Sequence, residues 1–504
     1  MNPSSGESGS QAARQVRTAI IGAGFSGLGM ARALVDSGDR DFIVFEREPG
    51  PGGTWWLNDY PGCACDVPSH LYSLSFELNP DWTRRYPPRK EIQEYLAGMA
   101  ASRGLDRHIL YGNPVESMTW SDSGSYWEIL DGQGRRWKAG RVVAGMGGLS
   151  RPSRPDLPGL DAFRGPVFHS QQWDHDCHLE GKRVAVIGTG ASAIQFVPRI
   201  QPRVRQLDVY QRTPPWILPR RDRVIPGWLK GLFAAIPLLM RLDRYRIYWL
   251  QEFRVLGLVV STRLAAWHRY RARAHLRRQV ADEDLRRALV PDYEMGCKRV
   301  LLSDDYYPAL DRENANLVDS PVTQVDETGI TDATGRHRPA DVIILATGFQ
   351  ATSPVPWGMI AGKGGQDLAR VWESGPEAYK GTVVAGFPNL FMLMGPNTAL
   401  GHSSVLVMIE SQIRYINRAF RYMDQTGTTN LEVLESAQQQ WNRKLHIRLQ
   451  ETVWNRGGCK SWYIHAGSGR NTTLWPGFTW EYDLRTRRFD KAAFQRRSQS
   501  ETGS

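Results

Sequence analysis

Two glycine-rich turns, and the residues that follow them, carry the first recognisable chemistry in this 504-residue chain. Gly22-Ala23-Gly24-Phe25-Ser26-Gly27 follows the apolar run Thr18-Ala19-Ile20-Ile21, and Gly188-Thr189-Gly190-Ala191-Ser192-Ala193 follows Val184-Ala185-Val186-Ile187. Each opens a helical pattern, the strand–turn–helix context in which such a motif binds a dinucleotide pyrophosphate. What differs is the residue that reads the ribose. After the first turn, the strand Asp41-Phe42-Ile43-Val44-Phe45 ends in Glu46, a carboxylate that accepts hydrogen bonds from ribose hydroxyls. After the second, Leu207-Asp208-Val209-Tyr210 ends in Gln211 and Arg212. No carboxylate repels a 2′-phosphate there, and a guanidinium is placed to pair with one. The spacing predicts one site for FAD, one for NADPH, and hence redox chemistry.

These turns need two sheets to hold them, so the expected fold is α/β, with two Rossmann-like dinucleotide-binding domains and a helical insertion in the second. The first domain spans residues 16–150 and resumes at 350–486, and the proline-rich stretch 151–159 links it to the second. The second spans 155–221 and 292–349 and ends in Asp341-Val342-Ile343-Ile344-Leu345 running into Ala346-Thr347-Gly348-Phe349. Residues 222–291 form the insertion. Its stretch 228–289 carries thirteen Lys/Arg against five Asp/Glu, with Leu239, Leu242, Tyr245, Leu250 and Phe253 near helical spacing. The preferred reading packs these helices on the nucleotide domain with their charges in water, since charge runs usually mark solvated faces. The alternative is a membrane-surface helix that feeds an apolar substrate inward. Residues 1–15 and 487–504 read as disordered tails.

Length alone requires two or three domains. The hydrophobic fraction of 41% and 49 glycines suit a water-soluble α/β chain. A formal charge of +11 is partly explained by anionic cofactors, and no zinc-finger spacing or arginine-rich arm points to nucleic acid. The five cysteines, Cys63, Cys65, Cys177, Cys297 and Cys459, are scattered without a Cys-x-x-Cys pair, which argues against a flavin disulfide reductase and for a reducing, cytoplasmic setting. Cys63 and Cys65 read as two buried thiols. Neither an apolar leader nor a membrane-spanning run is found, and no metal site is expected.

Two further stretches narrow the class. One is Gly52-Gly53-Thr54-Trp55, continuing through Asn58 and Tyr60-Pro61-Gly62 to Asp66. The other is Phe163-x-Gly165-x-x-x-His169-x-x-x-Trp173-Asp174. With both glycine turns and Ala346-Thr347-Gly348-Phe349, in this order, they resemble the class B flavoprotein monooxygenases, and Trp173-Asp174 resembles the type I Baeyer–Villiger members. The resemblance covers residues 17–482.

It implies that NADPH reduces the flavin, O₂ adds to the reduced ring, and the resulting C4a-peroxyflavin attacks a ketone to give an ester or lactone. It places the active-site arginine on Arg299 and its carboxylate partner on Asp66. An always-charged guanidinium held by a carboxylate suits stabilisation of an anionic oxygen. The resemblance further implies flavin-side contacts from Gly22, Gly24, Phe25, Ser26, Gly27, Glu46, Arg47, Gly53, Thr54, Trp55, Asp66, Tyr72, Val115 and Asn397. NADPH-side contacts fall on Gly188, Thr189, Gly190, Ala191, Ser192, Arg212, Thr213, Lys298 and Arg299. His169 is expected to be structural or conformational rather than a base. The aromatics Trp462, Tyr463 and Trp475 read as core, with one of them bordering the substrate. Ala193, where many relatives have glycine, is an accepted substitute. The rival readings are oxidation of sulfur or nitrogen in small molecules, and a flavoprotein that senses or recruits instead of turning over. The ketone and the oligomeric state are not encoded in any motif.

Overall fold

The computed structural model describes residues 13–352, 355–459 and 461–498. Its larger sheet has eight strands. The parallel part is built on β1 (Arg14–Ile21), whose last four residues are fully or almost fully buried, as an apolar strand covered on both faces must be. β1 pairs with β2 (Phe42–Phe45), and β2 pairs in turn with β3 (Ile109–Leu110). An antiparallel meander follows, β4 (Val115–Ser121), β5 (Tyr126–Asp131) and β6 (Arg136–Ala144).

β6 belongs to both parts. Its first residues pair with β5, while Val142–Ala144 run parallel to β1 and to the late strand Leu390–Met392. The chain therefore returns to its first sheet after leaving it for more than two hundred residues.

The second sheet is wholly parallel. Its order is Ala315–Val318, β9 (Gln206–Tyr210), β8 (Arg183–Ile187), Val342–Leu345 and β7 (Val167–His169). The two sheets are joined by a two-ply connection. Outgoing Ser153 N–H donates to Gly348 O at 2.8 Å, and returning Gln350 N–H donates to Arg151 O at 3.0 Å. His169 is buried beside it, 5.8 Å from the Phe349 ring, and Gln171 donates to Leu149 O.

Helix α1 (Phe25–Asp36) buries Phe25, Leu28, Met30, Ala31 and Leu34. It lies against the 22-residue helix Val405–Thr426 closely enough that a Cβ on Gly29 would sit 2.9 Å from Ile413 Cδ1. Helices α2 (Thr54–Leu57), α3 (Arg89–Ser102) and α4 (Ala193–Ile200) complete the layers around the site.

Three expectations are corrected. The N-terminal tail ends earlier than residue 15, because β1 begins at Arg14; residues 1–12 lie outside the described region. The tail from 487 is ordered through residue 498. Strand Phe494–Ser498 pairs with Thr428–Val433, and Asp490 takes hydrogen bonds from Tyr379 and Tyr415, a tertiary anchor that local polarity conceals. The third concerns the insertion. Its helix Pro237–Glu252 packs on the first domain's segments: Arg244 donates to the carbonyls of His70, Leu71 and Ser73, and Glu252 accepts from Thr479 N–H and Oγ1, both at 2.9 Å. Leu242, Tyr245, Leu250 and Phe253, expected to face inward, are exposed, and Leu239 is half-buried.

Candidate active site

The two glycine turns open at the carboxyl ends of their sheets, where doubly wound folds bind ligands. Gly27 is required by packing, since a Cβ there would stand 1.7 Å from Gly22 O. Gly24 faces the second loop: a Cβ on Gly53 would lie 3.1 Å from Gly24 Cα, and Gly52 N–H donates to Ala23 O at 3.0 Å. Phe25 and Ser26 start α1, and Thr54 and Trp55 start α2, so two helix N-termini open beside one another.

Glu46 ends β2 as a buried carboxylate, accepting from Ala23 N–H at 2.5 Å and Glu48 N–H at 2.9 Å. Burial raises its pKa against the pull of those bonds. Asn113 N–H donates to Glu46 O, which ties the segment leading into β4, where Val115 lies, to the end of β2. Arg47 donates to Ser150 O and pairs with Glu48. The Trp55 indole donates to Tyr72 Oη at 3.0 Å, and the Tyr72 ring sits edge-on to Phe25 at 5.3 Å.

Asn397 follows Leu390–Met392 at the same end of the sheet. Its amide donates to Asn471 O and Leu474 O, while its Oδ1 is buried without a partner among the described residues. A close-approach glycine cradle, a buried carboxylate at the ribose position and an unpaired amide oxygen fit a dinucleotide carrying a polar ring.

The second turn differs in detail. Gly188 approaches Ala346 O, where a Cβ would come to 2.4 Å, whereas a Cβ on Gly190 would meet nothing within 4 Å. Ala193 is fully buried with its methyl accommodated, so this turn is wider than the first. Thr189 Oγ1 donates to Thr213 O at 3.3 Å, and Ala191 and Ser192 lead into α4. Burial lowers the Lys298 pKa, and the neighbouring Arg212 charge lowers it further. Two cations forced together beside a glycine turn fit a phosphate monoester. Gln211 is turned away, donating to Ala288 O at 2.9 Å.

Between the turns lies an ion pair. Arg299 Nε and Nη2 donate to Asp66 Oδ2 and Oδ1, each at 2.7 Å, and Nη1 donates to Leu400 O at 3.4 Å. Both side chains are only partly covered, Asp66 25% and Arg299 32% exposed, so the fork is fixed yet accessible. Burial alone would raise the Asp66 carboxyl, but the Arg299 charge and hydrogen bonds outweigh it and hold it below the usual carboxylate range. The same attraction raises the guanidinium.

Asp66 follows Cys65, whose N–H donates to Pro87 O and whose carbonyl accepts from Arg220. Arg299 precedes the short strand Leu301–Leu302, paired with Ile217–Leu218. On its other side Cys297 forms a disulfide with Cys459. This corrects the expectation of five unpaired cysteines: the partners are 162 residues apart and share no motif, and with two of them bonded the cysteine pattern no longer argues for a reducing setting. Cys63 and Cys65 are free and buried, as expected, and burial pushes the Cys63 thiol up to about 12.

The buried Tyr463 lies against Arg299, and burial pushes its hydroxyl up to about 12. Arg220 is the site neighbour that no sequence pattern marks. Tyr463 is one of the three aromatics of which one is expected to border the substrate. Trp173 packs on Phe168 at 5.3 Å and Phe196 at 5.2 Å, and Asp174 caps a turn by accepting from Asp176 N–H and Cys177 N–H. These fingerprint residues hold the second domain's entry segment. Gln195 of α4 then reaches across to Tyr60 Oη at 3.0 Å and to both backbone atoms of Ala64.

A family model described as flavin-binding monooxygenase-like matches residues 15–357 of this chain. The chain belongs to that family. Among similar proteins is a Baeyer–Villiger monooxygenase of Pseudomonas aeruginosa, 51% identical, the alignment covering 96% of this chain and 92% of the relative. A second, from Streptomyces coelicolor, is 45% identical over 96% of this chain and 93% of its own. Among solved structures, a cyclohexanone monooxygenase from Rhodococcus sp. Phi1 bound to NADP⁺ superposes with a TM-score of 0.84 at 26% identity, covering 97% of this chain and all of that one. A steroid monooxygenase bound to NADP gives 0.84 at 28%, covering 96% of this chain and all of that one. In this flavin-binding monooxygenase, no helix among the described residues is long and apolar enough to cross a membrane, and they contain no metal-binding cluster.

Proposed function

We propose that this chain is an FAD- and NADPH-dependent Baeyer–Villiger monooxygenase. It converts a ketone, O₂, NADPH and a proton into an ester or lactone, NADP⁺ and water. The carrying observation is the forked Arg299–Asp66 pair set between two dinucleotide turns, one of them followed by a carboxylate and the other by cations. Bound FAD would supply oxygen activation, with electrons delivered from NADPH.

Gly22, Gly24, Gly27, Glu46, Gly53, Thr54 and Asn397 hold the FAD, with Phe25, Ser26, Arg47, Trp55, Tyr72 and Val115 around them. Gly188 to Ser192, Arg212, Thr213 and Lys298 hold NADPH. Asp66 occupies two of the five guanidinium N–H groups of Arg299 and Leu400 O takes a third. That leaves two N–H groups to serve a developing anion. A cation fixed at two points stabilises a developing anionic oxygen without having to reorganise. His169 is buried, its pKa lowered by burial, and its Nδ1 accepts from Gln171 N–H at 3.1 Å, which makes it a neutral buttress of the interdomain connection. The location we assign is cytoplasmic, where NADPH is regenerated.

The test is product analysis under ¹⁸O₂ with FAD-loaded protein, NADPH, a ketone panel and one thioether. Ester or lactone carrying one labelled oxygen is expected. Sulfoxide as the sole product would move the enzyme to heteroatom oxidation, and bound FAD without NADPH oxidation would favour a sensor.

A further inference from the structure

Among the described residues, thirteen of the twenty large hydrophobic side chains exposed to solvent lie between positions 224 and 270. They are not scattered. On the helix Pro237–Glu252, residues Leu238, Leu242, Tyr245 and Trp249 follow one another at helical spacing, and Phe253 extends the line past the helix end. At 100° per residue all five fall on one narrow stripe. They are 62, 57, 64, 41 and 63% exposed, respectively. The opposite face, with Met240, Arg244 and Gln251, is the one packed on the protein. This helix thus has an apolar face beyond the one its fold uses.

We propose that this stripe docks on an anionic lipid surface. Three observations select that occupant. First, Arg241 and Arg246 are exposed and flank the stripe on either side, Arg246 being paired with Asp243, and residues 228–289 carry thirteen basic against five acidic residues. Basic flanks around an aromatic and aliphatic line are the composition of an interfacial helix. Second, the surface is rich in Tyr and Trp, with Trp228, Trp267 and Tyr270 also exposed, and such side chains settle at the headgroup boundary. Third, the same charges disfavour a second copy of this chain, because an isologous contact sets Arg241 and Arg246 of one copy near those of the other. Residues 1–12 and 499–504 contain no Leu, Ile, Val, Phe, Trp or Tyr with which to cover the stripe from within.

The helix is tied to the reaction site. Arg244, on its inner face, holds the carbonyls of His70, Leu71 and Ser73, a few residues after Asp66. The next segment, Leu256–Val260, touches the loop carrying Arg299: a Cβ on Gly296 would lie 2.3 Å from Leu258 Cδ2. Docking would therefore open the site toward lipid and select ketones with long apolar chains, a consequence that rests on the function proposed above.

FAD-loaded full-length protein is sedimented with phosphatidylcholine vesicles, with and without phosphatidylglycerol. Binding to the anionic vesicles that weakens with salt is expected. The Leu242→Glu/Trp249→Glu double variant should bind at least about tenfold less, since each side chain would otherwise bury apolar surface. Arg241→Glu should cost about fivefold. Turnover of dissolved cyclohexanone by these variants should be unchanged, while turnover of a vesicle-embedded long-chain ketone falls. Wild-type protein that stays in the supernatant overturns the proposal. So does a dimer that the double variant splits, which would assign the stripe to a second copy. Vesicle binding without product from either ketone would sink the catalytic reading and leave the docking surface standing.

Discussion

A guanidinium stabilises an anionic oxygen best where little water competes, yet burying it is costly unless a partner comes with it. Asp66 resolves that conflict for Arg299. Replacing Arg299 with Ala should lower product formation by about 10²–10³-fold, the range for losing a preorganised oxyanion donor. Lysine should restore little, because a single ammonium cannot keep the two-point fork. Flavin reduction by NADPH, followed by absorbance, should survive Arg299→Ala better than oxygen insertion does. The pair also sets a pH response. The native Asp66 carboxyl lies below its ordinary value. Such a group stabilises the fold above its unfolded value of about 3.9 and loses that contribution as pH falls through the native one. Melting curves of wild type should therefore drop more steeply below about pH 5 than those of Asp66→Asn. At the other turn, Arg212→Ala should raise KM for NADPH about 10–100-fold and leave that for NADH nearly unchanged, as expected for a lost charged hydrogen bond. The identities of these residues were legible through their motifs, but their meeting was not: Asp66 and Arg299 are 233 positions apart.

The two glycine turns look alike as text and differ as structures. Gly27→Ala forces a methyl against Gly22 O, so misfolding or loss of bound FAD is expected, visible as colourless protein. Gly190→Ala meets open space in the protein alone, so its melting temperature should hold while KM for NADPH rises, because the space at that position serves pyrophosphate approach. Strand–turn–helix order was readable because alternation and burial are local properties. The strand Phe494–Ser498 was not, since its polar residues earn their place only through pairing with Thr428–Val433. The insertion misled for a related reason: helical spacing identifies an apolar face without saying what it meets. On Pro237–Glu252 that face meets solvent, while Arg244 and Glu252 make the inward contacts.

At the scale of the molecule, one chain crosses twice between two sheets, and the crossings are hydrogen-bonded to each other at Ser153–Gly348 and Gln350–Arg151. Motion of one sheet against the other must bend both plies together, with His169 and Phe349 packed beside them. The site takes Asp66 from before the first crossing, Arg299 from between them and Leu400 from after the second, so it forms only when both sheets are docked. The Cys297–Cys459 bond adds a covalent constraint to this arrangement. A protease cut anywhere from position 298 to 458 leaves the fragments fastened together, to part on a gel only after a thiol reductant is added. Arg299 and Leu400 both lie within that closed ring, whereas Asp66 lies outside it. A nicked enzyme would keep the arginine tethered to the carbonyl that helps aim it.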